Sequence, residues 1–134
     1  MKALLCLTRI SEFAYPGWGD AGMIQRAIVE SLKRQYLWLD GHFNELFELT
    51  TDNREKDILR AAYVGSRRNL LAARERSFME DDPTASLLHR DLTRNQEQIE
   101  MLAATGDGPG LVALIAAGVG LGSRLSGCGA DSGS

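Results

Sequence analysis

Between residues 85 and 102, core-type positions recur at alternating spacings of three and four, and this spacing limits the chain to few folds. The pattern is that of a coiled-coil seam, in which each of these side chains faces the same side of an α-helix. Such a helix is stable in water only when the seam packs lengthwise against a neighbour. The seam positions are Ala85, Leu88, Leu92, Asn95, Ile99 and Leu102.

Asn95 is the polar member of this seam. A buried Asn in a helical seam costs stability unless its amide finds a matched partner, and it therefore selects one register or one oligomeric state. The spacing predicts a specified pairing, either inside one chain or between two copies of it.

Two more amphipathic helices are predicted before the seam. Residues 21–49 carry one apolar stripe that keeps its phase across Asp40–Gly41, which favours one bent helix over two separate helices. The stripe consists of Val29, Leu32, Tyr36, Leu39, Phe43 and Leu46. A second helix is predicted from residue 52 to about residue 79, with small residues at Gly65 and Ser66 that let another helix approach closely.

Capping chemistry sets the predicted helix boundaries. Asp52 and Asp82 are N-cap residues, whose carboxylates accept hydrogen bonds from the free backbone N–H groups of a first turn. Pro83 suits the first helical position, where its missing N–H is not needed. Gly106 suits the left-handed conformation in which many helices end.

Residues 111–121 are apolar or glycine throughout and carry no charge. Because a bilayer-spanning helix needs about 20 apolar residues, this run predicts a short buried helix, with membrane contact through residues 111–122 as the alternative. The predicted fold is therefore all-α, a small helical bundle of three long helices plus a short apolar C-terminal helix.

A chain of 134 residues fits one domain. We divide it into an N-terminal segment with a Pro/Gly turn (1–20), the helical bundle (21–105), an apolar glycine-spaced segment (106–125) and a flexible tail (126–134). Cys6 and Cys128 form no disulfide framework, and the apolar run after Met1 is too short for a secretion signal. We therefore expect reduced thiols and a cytoplasmic protein.

Arginine is concentrated on the second predicted helix. Arg60, Arg67 and Arg74 are seven residues apart and share one side, and Arg68 adjoins them. Guanidinium groups bind carboxylates in pairs of hydrogen bonds, so we expect this stripe to contact an acidic partner protein. The net charge of −3 argues against a nucleic-acid partner, because phosphate binding needs an excess of Lys and Arg.

The arginine stripe also has a structural interpretation, in which Glu97 and Glu100 of the third helix pair with it across the bundle. Trp18, in the Pro/Gly turn, is the other candidate for partner contact, because Trp is enriched at binding hot spots. Alternatively, its ring covers one end of the bundle.

His42 and Glu45 lie one helical turn apart, and His89 and Asp91 form a second pair. Together they would make the metal site of a helical enzyme, whereas the simpler interpretation is polar residues on helix surfaces. The sequence contains no motif of a nucleophilic or zinc hydrolase, and no cofactor is expected.

These features predict a non-enzymatic helical module that binds another protein, as a small regulator, an inhibitor, an immunity-type or a chaperone-type protein. A second copy of the chain is an alternative partner. Two other functions stay open at this point. One is a membrane-associated protein that inserts or oligomerises through its C-terminal apolar segment, and the other is a metal-dependent helical enzyme.

Overall fold

Four α-helices account for most of the computed structural model, which describes residues 22–79, 81–106 and 108–124. The helices are α1 (Met23–Leu49), α2 (Asn53–Glu75), α3 (Pro83–Thr105) and α4 (Gly108–Ser123). The predicted all-α class is confirmed over these residues. Trp18, both cysteines, the predicted Pro/Gly turn and the predicted tail lie outside the described residues.

The predicted capping residues occupy the helix ends. Asp52 Oδ1 accepts a hydrogen bond from Arg54 N at 2.9 Å, and Asp82 Oδ1 accepts one from Thr84 N at 2.9 Å. Gly106 follows α3 with a φ of 82°, a left-handed conformation that glycine adopts without strain. Local sequence is therefore sufficient to place these three boundaries.

α1 is one continuous helix through Asp40 and Gly41, as the phase of its apolar stripe predicts. The Asp40 carboxylate accepts a hydrogen bond from the Tyr63 hydroxyl of α2 at 2.5 Å, and this bond raises the pKa of Tyr63 above its ordinary value. The pair thus joins α1 to α2 at the position where glycine weakens the helix.

α2 ends at Glu75, earlier than the sequence predicts. Gln25 of α1 explains the difference, because its Nε2 donates to Ala73 O at 2.8 Å and its Oε1 accepts from Phe78 N at 3.1 Å. This side chain satisfies a carbonyl of the last turn and an N–H beyond it, so the chain leaves the helix without losing hydrogen bonds.

Consecutive helices run in opposite directions and form a four-helix bundle. α1 packs beside α2 and α3, and α4 also packs beside α2 and α3. α2 and α3 therefore lie diagonally opposite each other. This arrangement decides which charged faces can meet.

Two hydrophobic clusters form the core, one toward each end of the bundle. The first surrounds the beginnings of α1 and α3 and contains Ile24, Ile28, Val29, Leu32, Leu70, Ala73, Ala85, Leu88 and Leu92. The second surrounds the beginning of α4 and contains Leu39, Leu46, Leu59, Ala62, Ile99, Leu111, Val112 and Ile115. Burial of this apolar surface stabilises the bundle by about 25 cal/mol per Å².

A layer of buried polar side chains separates the two clusters. Its members come from α1, α2 and α3 and are 0–7 % exposed: Gln35, Ser66, Asn69, Asn95 and Gln96. Two of their amides donate to backbone carbonyls of α4, Asn69 to Val119 O and Asn95 to Leu114 O, both at 3.0 Å. The layer therefore binds α4 through its backbone.

Glycine lets α4 approach this layer. A β-carbon on Gly118 would overlap Asn95 Oδ1, and one on Gly122 would lie 2.7 Å from Asn69 Nδ2. On the α2 side, a β-carbon on Gly65 would lie 2.9 Å from an α4 side chain. The glycine-spaced segment is thus a packed helix of the bundle, held at distances that a larger residue would prevent.

Candidate functional site

The outer face of α2 presents an apolar side chain among arginines. Val64 is 54 % exposed, although most apolar residues of α2 are buried or half-buried. Arg60, Arg67 and Arg68 are also exposed and lie three or four residues from Val64, which makes them its neighbours on the helix surface. These four residues and the exposed Ala61 form the α2 face.

The three arginines of the α2 face differ in their contacts. Arg60 donates to Asp57 Oδ1 at 2.6 Å, and its guanidinium lies 4.9 Å from the centroid of the Phe47 ring. Arg67 and Arg68 form no ion pair with any residue in the described ranges. Two guanidinium groups of this face are therefore available for carboxylates from outside the chain.

Glu97 and Glu100 form no ion pair with the arginine stripe among the described residues. Glu97 and Glu100 lie on α3, diagonally opposite α2. Glu100 pairs instead with Arg34 of α1 at 2.7 Å, and this hydrogen-bonded pair lowers the pKa of Glu100. The alternative interpretation, in which these acids pair with the stripe, does not fit the structure, because the bundle topology keeps α2 and α3 apart.

Arg74, the last member of the predicted stripe, is less exposed than the arginines of the α2 face. It is half-buried, and this burial lowers its pKa, whereas the nearby carboxylate of Glu30 on α1 acts in the opposite direction. Arg74 therefore belongs to the contact between α1 and α2 and is less accessible than Arg67.

A shallow groove between α2 and α4 borders the α2 face. It encloses about 360 Å³ and includes Ala61 and Gly65 of α2, Ala116 and Gly120 of α4, and Arg68. Because small residues predominate at this position, another helix can come close to the backbones of α2 and α4. The groove adds contact area to the exposed Val64.

The seam of α3 packs inside the bundle of its own chain. Leu88, Leu92 and Ile99 belong to the two hydrophobic clusters, and Leu102 is half-buried beside the second. Asn95 lies in the polar layer and donates to α4. The elements beside this seam are therefore α1 and α4.

The four candidate metal ligands are not brought together. His42 and Glu45 lie toward the end of α1, whereas His89 and Asp91 lie in the first half of α3, toward the other end of the bundle. His89 Nδ1 is hydrogen bonded to Ser31 Oγ at 3.0 Å. Within the part of the chain that the structure describes, no three His, Cys, Asp or Glu residues are placed to hold a metal ion.

α4 directs its large apolar side chains into the bundle. Leu111, Val112 and Ile115 are 3–4 % exposed, and the exposed positions of this helix include Ala113 and Ala116. No helix among the described residues combines the length and the apolar character needed to cross a bilayer. On α4 itself, Leu111, Val112 and Ile115 are covered by the rest of the bundle.

The apolar centre of the α2 face was not predicted from the sequence. The available signal was that Val64 falls outside the inward stripe of α2 and stands three and four residues before two arginines. Comparison with known proteins finds no match to a protein family, to a curated protein or to a solved structure. Geometry alone therefore supports a functional proposal.

Proposed function

We propose that this helical bundle is a non-enzymatic binding module that recognises an acidic, amphipathic segment of another protein. The supporting observation is the α2 face, where the half-exposed Val64 stands among three exposed arginines. An apolar centre with a cationic rim is complementary to a helix that carries an apolar stripe flanked by Asp and Glu. Arginine is also enriched among the residues that dominate binding energy.

The arrangement of charge favours a protein partner. Arg67 and Arg68 point two planar guanidinium groups at solvent beside an apolar side chain, which suits paired carboxylates next to a hydrophobic contact. The net charge of −3 gives a nucleic acid little general attraction. The proposed role is that of a cytoplasmic regulator, inhibitor, immunity-type or chaperone-type protein.

The burial of α4 supports a protein partner over the membrane alternative. Insertion would have to remove Leu111, Val112 and Ile115 from the second hydrophobic cluster, and would separate Asn69 and Asn95 from their backbone acceptors. Leaving such buried groups without partners costs about 1–3 kcal/mol for each hydrogen bond. Binding through the α2 face needs no such rearrangement.

The proposal is tested by quantitative affinity purification of the full chain from its native host. We expect a stoichiometric protein partner whose recovery falls at least about tenfold when Arg67 and Arg68 are both changed to Glu, since each lost charged contact is worth about 1.5–3 kcal/mol. A photo-crosslinking amino acid at position 61 then identifies the contacted segment, which we expect to be acidic and helical.

The matched control changes Arg54 and Arg94 to Glu, two arginines that are also exposed but lie outside the α2 face. This variant has the same net charge as the first, so it separates the local face from general electrostatics. Equal recovery of the partner with both double variants, or recovery of no partner at all, would refute the proposal.

A further inference from the structure

A cavity of about 620 Å³ lies at the end of the bundle where α1 and α3 end and α2 and α4 begin. We refer to it as the end cavity. Small-molecule sites in proteins enclose about 300–1,000 Å³, so its size suits an organic ligand. It shares no residue with the α2 face, so a ligand in the end cavity does not depend on the proposed protein partner.

Part of the end cavity is apolar. Leu46, Leu111 and Val112 line it and belong to the second hydrophobic cluster. Leu49 also lines it and is 72 % exposed, a large value for an apolar residue beside a cavity. An apolar ligand body that covered these side chains would remove their surface from water, which is favourable.

Among the described residues that line the end cavity, the charged ones are acidic. Glu45, Glu55 and Glu100 line it together with His42, and no Lys or Arg belongs to this described lining. Glu100 is neutralised by Arg34, whereas Glu45 and Glu55 form no ion pair within the described ranges. Two carboxylates beside an apolar surface are complementary to a cation.

A buried amide holds the third carboxylate in position. Gln96, which is 2 % exposed, donates from Nε2 to Glu100 Oε2 at 3.0 Å. Arg34 donates to both oxygens of the same carboxylate, at 3.0 and 2.7 Å. Glu100 is therefore a fixed part of the wall, whereas Glu45 and Glu55 are the acids left for a ligand.

Trp38 and His42 also line the end cavity. Trp38 and His42 are stacked, with centroids 4.2 Å apart and an interplanar angle of 17°. His42 Nδ1 lies 2.7 Å from Trp38 O, and because a carbonyl oxygen only accepts, Nδ1 carries the proton. In the neutral ring, Nε2 is then a hydrogen-bond acceptor, to which an ammonium group can donate.

We propose that the end cavity binds a small organic amine, an ammonium group attached to an apolar body. The ammonium group binds Glu45 and Glu55 beside the Trp38–His42 pair, and the apolar body covers Leu46 and Leu49. Each part of this ligand matches a separate feature of the cavity. A neutral molecule leaves the two carboxylates without a partner, and a metal ion leaves the apolar surface exposed.

The test uses hexylamine as the probe, with hexanol and hexanoate as its neutral and anionic counterparts. The full chain with Trp18→Phe keeps Trp38 as its one tryptophan, so fluorescence reports on the end cavity. We expect a saturable change in Trp38 fluorescence with hexylamine, and binding at least about tenfold weaker for hexanol and hexanoate, because neither offers a positive charge to the two carboxylates.

The variant Glu45→Gln/Glu55→Gln removes both free carboxylates, and we expect it to weaken hexylamine binding about tenfold or more. The matched control is Glu48→Gln/Glu97→Gln, which removes two exposed carboxylates that do not line the cavity. Circular dichroism melting checks that each variant is folded. Equal affinity for hexylamine and hexanol, unchanged affinity in the cavity variant, or no saturable signal would overturn the proposal.

Discussion

In the middle of the bundle, α4 meets its neighbours through glycine and leaves no room for a β-carbon at Gly118 or Gly122. At the end of the bundle, the same four helices leave the end cavity of about 620 Å³. The chemistry of the two regions is opposite as well. In the middle, neutral amides bind backbone carbonyls of α4, whereas at the end the polar lining includes three carboxylates.

This difference shows that residue size determines where the helices of a bundle are in contact and where a cavity remains between them. Where α4 carries glycine, it lies close to the neighbouring helices, and buried amides can reach its backbone. Where Leu49 turns outward and the chain turns at Gly106, the helices do not fill the volume between them. A buried polar layer and a ligand-sized cavity thus arise from the same four helices.

The largest expected effect is on the free energy of unfolding when one leucine is truncated in each of the two regions. Leu32→Ala removes a fully buried side chain that packs against α4 at Gly122, and we expect a loss of about 2–5 kcal/mol in the free energy of unfolding. Leu46→Ala should cost less, because Leu46 already borders the end cavity. Urea denaturation followed by circular dichroism measures both, and equal losses would contradict the difference in packing.

A smaller effect is expected from adding one methyl group to the close contact. Gly118→Ala places a β-carbon against Asn95 Oδ1, and overpacking of this kind costs about 1–3 kcal/mol. Gly120→Ala is the matched control, because open space surrounds Gly120 and alanine favours the helix by about 0.5–1 kcal/mol. Thermal unfolding should rank Gly120→Ala above the native chain and Gly118→Ala below it; the reverse order would exclude the close approach of α4.

The smallest effect concerns Glu100, which joins the two regions because Gln96 donates to it and it lines the end cavity. Its pairing with Arg34 lowers the pKa of Glu100. A lowered pKa in the folded state contributes stability at neutral pH that is lost as the pH falls through the ordinary Glu value of about 4.3 and below. The two side chains are 44 % and 34 % exposed, so we expect less than about 1 kcal/mol.

Urea midpoints measured from pH 7 to pH 3 check this expectation. The native chain should lose more stability over this interval than Glu100→Gln does, because glutamine has no proton to gain. Glu48→Gln, an exposed residue outside the end cavity, is the control and should follow the native chain. Parallel curves for the native chain and Glu100→Gln would show that the pair does not contribute to stability.

Much of the local structure could be predicted because its causes are local. Asp52 and Asp82 cap helices through bonds to residues two positions ahead, and Gly106 ends α3 through its own backbone conformation. The end of α2 could not be predicted in this way. Gln25, some 50 positions earlier in the chain, supplies the hydrogen bonds that release residues 76–79 from the helix.

The candidate sites also differ in whether their causes are local in the sequence. Spacing alone placed Arg60, Arg67 and Arg68 on one side of α2, since three- and four-residue neighbours are fixed by helix geometry. Spacing did not separate Arg74 from them, because its burial depends on α1. The end cavity could not be predicted from spacing either, because its acidic residues come from three different helices.

The order of residues is enough to make the described chain form amphipathic helices and to place several of their ends, because periodicity and capping act within a few residues. Only tertiary packing places α2 and α3 diagonally opposite each other. As a result, no acid of α3 pairs with Arg67 or Arg68 among the described residues, and Glu100 pairs with Arg34 of α1. An apolar stripe determines which face of a helix is buried, but not which helix it packs against. The neighbouring helix depends on how closely the four helices approach one another, and glycine on α4 allows the close approach in this bundle.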